Sequence, residues 1–203
     1  MDRACRKVAR EADVLCIAVN SSLDGRNTAM KYRKFNQGWK FWNEKNSFAL
    51  VWNTPQDSED VTIPHDAMRT RKPYAESPNG SSSGYRDGGN YVYVKNLFAP
   101  EEFRNRSLIL KFEGVYMNSF VYVNEQLAGK CPNGYVPFHV ELNNFLRYGE
   151  SNEIRVVVKN GTMNNSRWYS GGGIYRDVYL LESGHLSIVP DGVQIRTETL
   201  EDD

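Results

Sequence analysis

The sequence predicts an all-β domain with a jelly-roll-like antiparallel β-sandwich. Three observations indicate this fold class. Short apolar runs recur along the chain, turn residues such as Asn133-Gly134 separate them, and no comparable helical periodicity interrupts them after residue 48. Leu108, Leu110 and Phe112 alternate with residues of the opposite face, as they do in half-buried antiparallel strands. Short strands at this spacing favour a sandwich over a βαβ fold.

The apolar runs predict seven strands in chain order. They cover Phe48 to Trp52, Tyr91 to Leu97, Leu108 to Phe112, Phe120 to Asn124, Val136 to Leu142, Ile154 to Val158 and Ile174 to Leu181. In the last run, Arg176 has the same parity as Ile174 and Val178, so a regular strand would direct its guanidinium inward to a carboxylate or carbonyl partner.

The segment from Ser77 to Asn90 is rich in Gly, Ser and Asn and contains little apolar surface. Such a composition offsets little of the entropy lost on ordering, so we expect a mobile surface loop. A tolerated insertion and a loop that orders against a partner domain or a sugar are both consistent with it.

The chain divides into three parts. Residues 1–29 place basic and apolar residues at helical spacing and then become polar, which predicts an N-terminal extension with a short helix and a linker. Met30 is an alternative natural start, and the sequence leaves both possibilities open. Residues 30–190 form the predicted sandwich domain, and residues 191–203 begin a linker or strand.

Composition argues against several classes of partner and cofactor. The 25 Lys and Arg residues balance 25 Asp and Glu residues, so no basic field predicts binding to nucleic acid. No apolar run approaches the roughly 20 residues of a membrane span, and we expect no membrane association. The three cysteines, Cys5, Cys16 and Cys131, are scattered, so we expect no disulfide framework, no metal site and no cofactor, and a reducing cytoplasmic location.

Four motifs in order carry a family resemblance. They are Pro64-His65-Asp66, the run from Phe112 to Val115, the run from Val121 to Asn124, and the run from Ser166 to Val178 with its three consecutive glycines. Together they resemble the N-terminal sugar-binding domain of family 2 glycoside hydrolases, the β-galactosidase and β-glucuronidase family. The resemblance implies a fold like that of galactose-binding domains.

The resemblance also implies that catalysis takes place in a different domain of the parent protein. The two catalytic glutamates of the family lie in a later (β/α)₈ barrel, so we expect no catalytic residue in this chain and no activity from it alone. Its partners would be a terminal β-linked sugar and, in the same parent chain, the catalytic barrel and an immunoglobulin-like domain. The parent would be a retaining β-galactosidase or β-glucuronidase.

Two loops match positions that contact the sugar in the family. The resemblance implies that Asp66 contacts sugar hydroxyls with His65 beside it, and that Arg167 and Trp168 contact or enclose the sugar. Ser166 replaces an acidic residue of some β-galactosidases, which argues against a sodium site. Without the resemblance, Asp66 is equally consistent with a turn cap, and Trp168 with a buried residue between domains.

Two alternative functions stay open. The high Tyr and Trp content permits a free-standing carbohydrate-binding module or lectin. A purely structural domain that only docks its neighbours is the other.

Overall fold

The computed structural model describes residues 30–44, 54–161 and 171–196. These residues form ten strands and two short 3₁₀ helices, Gly80–Ser83 and Glu101–Asn105. The strands are β1 (Lys31–Lys34), β2 (Trp39–Glu44), β3 (Glu59–Val61), β4 (Asn90–Ala99), β5 (Ser107–Phe112), β6 (Ser119–Val123), β7 (Gln126–Cys131), β8 (Phe138–Glu141), β9 (Glu150–Lys159) and β10 (Val178–Ser183).

The strands form two antiparallel sheets. One has four strands in the order β1-β10-β5-β8, and the other has six in the order β3-β2-β4-β9-β6-β7. Neighbours in each sheet are mostly distant in sequence, as in β10 with β5 and β4 with β9. The predicted all-β antiparallel sandwich is confirmed.

The core fills the space between the sheets. Trp39, Tyr93 and Phe112 are fully buried, and the Phe112 ring stacks on Phe138 at 4.9 Å between centroids. Alternation puts Leu108 and Leu110 in this core as the sequence predicts. Each such side chain contributes about 1.5–3 kcal/mol through its removal from water.

The prediction for Arg176 was wrong, because its side chain is exposed. The chain bends at this residue and β10 begins only at Val178, so strand parity does not extend to position 176. The guanidinium instead lies over the ring of Tyr175, 5.2 Å from its centroid. The predicted strand from Phe48 to Trp52 lies outside the described residues.

The chain beyond β10 contacts the outer face of the four-stranded sheet. The Asp191 carboxylate lies 3.2 Å from Lys111 Nζ and 3.4 Å from His139 Nε2. Leu186 and Ile195, in the same segment, are 82% and 91% exposed. This segment therefore presents apolar side chains to solvent while Asp191 holds it to the sheet.

Two features bear on ligands and surroundings. No helix in the described ranges is long and apolar enough to cross a membrane. Within those same ranges, no group of three or more His, Cys, Asp and Glu side chains is arranged to hold a metal ion.

Candidate functional site

Two loops identified from the sequence lie side by side against the first half of β4. The backbone N–H of His65 donates to the carbonyl of Ile174 at 2.8 Å, and that of Ala67 donates to the carbonyl of Gly172 at 2.7 Å. The fold thus brings the Pro64-His65-Asp66 motif next to the glycine run although more than 100 residues separate them in sequence.

Asp66 joins the two loops through its side chain. Its Oδ1 accepts a hydrogen bond from the backbone N–H of Met68 at 3.0 Å and from that of Gly172 at 3.1 Å. The first bond closes a turn within its own loop, and the second reaches the glycine run. The carboxylate is half-buried, so it also meets solvent.

His65 faces inward from the same loop. Its Nδ1 and the Tyr93 hydroxyl share a hydrogen bond of 2.9 Å, and its ring meets the Phe41 ring edge to face at 4.6 Å. Burial lowers the pKa of His65 from 6.5, and the nearby Asp66 and Glu59 charges oppose this only in part. The imidazole is therefore neutral at pH 7 and supports the loop from beneath.

The glycine run needs its glycines where the loops meet β4. Gly173 has a φ of +98°, and a Cβ atom there would collide with the Tyr93 hydroxyl. Gly172 lies against the Tyr91 ring with similarly little space. The close approach that three consecutive glycines permit is therefore used at Gly172 and Gly173.

A polar pocket of about 250 Å³ opens beside Asp66. Two segments supply its lining, and we call them its two walls: Asp66, Met68 and Arg69 form the first, and Ser83 and Arg86 form the second. The second wall belongs to the segment from Ser77 to Asn90, which contains the 3₁₀ helix Gly80–Ser83. The glycine- and serine-rich loop therefore lines a pocket next to the candidate sugar contact.

Residues 33–184 match the sequence model of the family described as "Glycosyl hydrolases family 2, sugar binding domain". The match covers most of the chain, including both loops of the site. The chain belongs to this family. The matched domain leaves far too few residues for a (β/α)₈ barrel of about 250 residues, so the catalytic barrel is absent from this chain.

Relatives of known description cover the same part of the chain. The "Beta-galactosidase BoGH2A" of Bacteroides ovatus is 32% identical over 169 residues, which are 83% of this chain and 20% of that protein. A "Beta-glucuronidase" of Bacteroides fragilis is 32% identical over 155 residues, or 73% of this chain and 21% of that protein. The chain thus spans about a fifth of the length of these relatives.

Solved structures agree with this assignment. A β-glycosidase from Bacteroides vulgatus superimposes with a TM-score of 0.69 at 34% identity, covering 76% of this chain and 20% of that one. A family 2 member from Bacteroides cellulosilyticus also has a TM-score of 0.69, at 26% identity, covering 75% of this chain and 20% of that one. The fold is that of a family 2 sugar-binding domain.

Of the four predicted site residues, the structure brings Asp66 and His65 together with the glycine run. Arg167 and Trp168 lie outside the described residues. Sequence reasoning missed Arg69, Ser83 and Arg86. Only the run Gly84-Tyr85-Arg86-Asp87, with charged and aromatic residues inside a polar loop, offered a signal for Arg86.

Proposed function

We propose that this sugar-binding domain forms one edge of the sugar pocket in a retaining β-glycosidase of the β-galactosidase or β-glucuronidase type. The observation that carries the proposal is the position of Asp66. Its Oδ1 is committed to two backbone donors, which fixes the carboxylate at the junction of the two loops and beside a pocket. A fixed, half-exposed carboxylate suits acceptance of hydrogen bonds from vicinal hydroxyls of a terminal sugar.

The relatives support this proposal, since they include a β-galactosidase and a β-glucuronidase. Retaining hydrolysis requires two carboxyl groups about 5–5.5 Å apart. We assign those groups to a barrel of the parent chain, with Arg167 and Trp168 as further sugar contacts of this domain. This chain alone should then release no nitrophenol from a β-galactoside or β-glucuronide.

The decisive test compares two substitutions at Asp66. Asp66→Ala removes the acceptor of two backbone hydrogen bonds and should lower the free energy of unfolding by about 1–3 kcal/mol. Asp66→Asn keeps an oxygen at Oδ1 and should leave stability nearly unchanged. In the enzyme that contains this domain, Asp66→Asn should lower kcat/KM about tenfold, the effect of one lost charge-assisted hydrogen bond.

Asp60→Asn is the matched control. Asp60 is an exposed carboxylate on β3 that pairs with Lys40 at 2.8 Å, so its exchange removes the same charge from an ordinary surface position. We expect wild-type kinetics from it. Unchanged kcat/KM in both Asp66→Asn and Asp66→Ala, with the fold intact, would leave Asp66 as a turn cap only.

A second candidate function is docking of a neighbouring domain, and the segment after β10 favours it. Leu186, Ile188, Val189, Val193 and Ile195 are exposed apolar residues within ten positions. Apolar side chains concentrated in this way mark interaction surfaces. We propose that they contact the immunoglobulin-like domain of the parent chain; Ile195→Asp should then weaken association with that domain without changing sugar binding.

A further inference from the structure

We infer that the pocket beside Asp66 receives an anionic substituent, a carboxylate or a sulfate ester, of the bound saccharide. This inference rests on the proposed function, because it places the saccharide at Asp66. Within that function it names Arg69 and Arg86 as the residues that favour acidic over neutral sugars.

The pocket has more positive than negative charge. Arg69 and Arg86 line it together with a single carboxylate, that of Asp66. Asp66 uses Oδ1 for the backbone N–H groups of Met68 and Gly172. Within residues 30–44, 54–161 and 171–196, neither arginine forms an ion pair shorter than 4.0 Å. The pocket therefore offers guanidinium groups that the described carboxylates do not neutralise.

Asp87, another carboxylate nearby, accepts hydrogen bonds from Ser77 and Tyr74. Its Oδ1 accepts from Ser77 Oγ at 2.6 Å, and its Oδ2 accepts from the Tyr74 hydroxyl. These hydrogen bonds, from Ser77 first and Tyr74 second, lower the pKa of Asp87. Asp87 thus stays ionised while it fastens the loop, and it does not line the pocket.

Hydrogen bonds hold Arg86 at the wall. Its Nε donates to the carbonyl of Arg71 at 2.9 Å, and its own carbonyl accepts from Ser83 Oγ at 2.6 Å. Arg71 in turn donates from Nη1 to the carbonyl of Gly88 at 3.3 Å. The guanidinium of Arg86 is thus oriented before any ligand arrives, which lowers the entropy cost of binding.

The chemistry of the two walls selects the ligand. A guanidinium binds carboxylate and sulfate oxygens through parallel N–H donors, whereas a neutral hydroxymethyl group offers only one weak acceptor. At about 250 Å³ the pocket is smaller than the roughly 300–1,000 Å³ of drug-sized sites, so it suits a single ring or its substituent. Arg69 and Arg86 line the same pocket as Asp66, so a saccharide that contacts Asp66 lies in the same site as both guanidinium groups.

The test is a calorimetric and NMR titration of the 203-residue chain with three probes: methyl β-D-glucuronide, galactose 6-sulfate and methyl β-D-galactoside. We expect at least one anionic probe to bind about tenfold more tightly than the galactoside, and this advantage to shrink as salt rises from 50 to 500 mM. Arg69→Gln should abolish the advantage, because Arg69 lines the pocket with an exposed side chain. Comparison of the glucuronide with the sulfate identifies the preferred anion.

Lys72→Gln is the matched control, since Lys72 is an exposed cation close in sequence that does not line the pocket. It should keep the tenfold preference, and an equal loss in both variants would reduce the effect to general charge attraction and overturn the inference. Equal binding of galactoside and anionic probes would also overturn it, yet leave the proposed sugar contact standing. Absence of binding by all three probes would overturn the inference, yet leave standing a domain that forms one edge of a pocket completed by the barrel.

Discussion

Gly173 allows the glycine run to pack against the core because glycine has no Cβ atom. Its φ of +98° is costly for any residue with a Cβ, and that Cβ would displace the Tyr93 hydroxyl from its bond with His65 Nδ1. The backbone conformation alone costs about 1–2 kcal/mol for an L-residue. The absence of a Cβ therefore lets the glycine run pack directly on β4, next to the loop that carries Asp66.

We predict that Gly173→Ala lowers the free energy of unfolding by more than 2 kcal/mol, from backbone strain plus the collision. Urea unfolding of four proteins measures this: wild type, Gly173→Ala, Tyr93→Phe and the double variant. Since Tyr93→Phe removes the colliding oxygen, the double variant should be more stable than the sum of the two single effects. Strict additivity would show that the hydroxyl is not what excludes a side chain at position 173.

At the scale of elements, one buried amide connects several strands. Asn152 on β9 is fully buried, and its Oδ1 accepts from Asn124 Nδ2 and from the backbone N–H of Arg147, each at 2.7 Å. Its Nδ2 donates to the carbonyls of Arg147 and Glu150 at 3.0 and 3.1 Å. The amide thus holds the turn after β6 and the segment before β9 in one arrangement.

Replacement of Asn152 by Ala should lower the free energy of unfolding by about 3 kcal/mol, because the part-buried donors of Asn124 and Arg147 lose their acceptor and the fully buried amide is removed. Chemical denaturation checks the value. Asn96→Ala on β4 is the control, since Asn96 is exposed and its loss should change stability by less than about 0.5 kcal/mol. A similar small effect at Asn152 would mean that the segment rearranges to satisfy its own backbone.

The sequence predicted elements that bury apolar residues and missed those that do not. β9 contains the predicted run from Ile154 to Val158, but all five of its residues are buried, so both faces of this strand are covered and not the single face that alternation predicts. In contrast, all four residues of β1 are exposed, so its charged sequence has no apolar alternation to detect. β7 is also largely unburied, with Cys131 its single buried residue. Edge strands are specified by backbone pairing, which leaves little signature in side chains.

The sequence likewise predicted only some of the residues of the candidate site. Family motifs identified Asp66 and the glycine run, and the fold explains both through the bonds between their loops. Arg69 and Arg86 carry no such signal, because a pocket between two irregular loops depends on how the chain folds back between residues 69 and 86. Local sequence does not encode how close residues 69 and 86 come in the folded chain.

At the scale of the whole molecule, two partly buried imidazoles couple stability to pH. Burial lowers the pKa of His65, with Asp66 and Glu59 opposing it. Burial also lowers the pKa of His139, which Asp191 and Glu113 oppose and Lys111 reinforces. In the unfolded chain both titrate near 6.5. Below that pH the unfolded chain binds more protons than the native one, so the free energy of unfolding must fall as the pH falls toward the lowered native values.

We therefore predict a loss of stability between pH 7.5 and 5.5 that the double variant His65→Gln/His139→Gln reduces, as measured by urea unfolding at several pH values. His185→Gln is the control because His185 is an exposed imidazole outside the core, and it should keep the wild-type slope. The single variants separate the two contributions: His65 reports on the loop that carries Asp66, and His139 on the segment held by Asp191. If the double variant retained the full slope, other titratable groups such as carboxylates would be responsible, and these two imidazoles would not couple stability to pH.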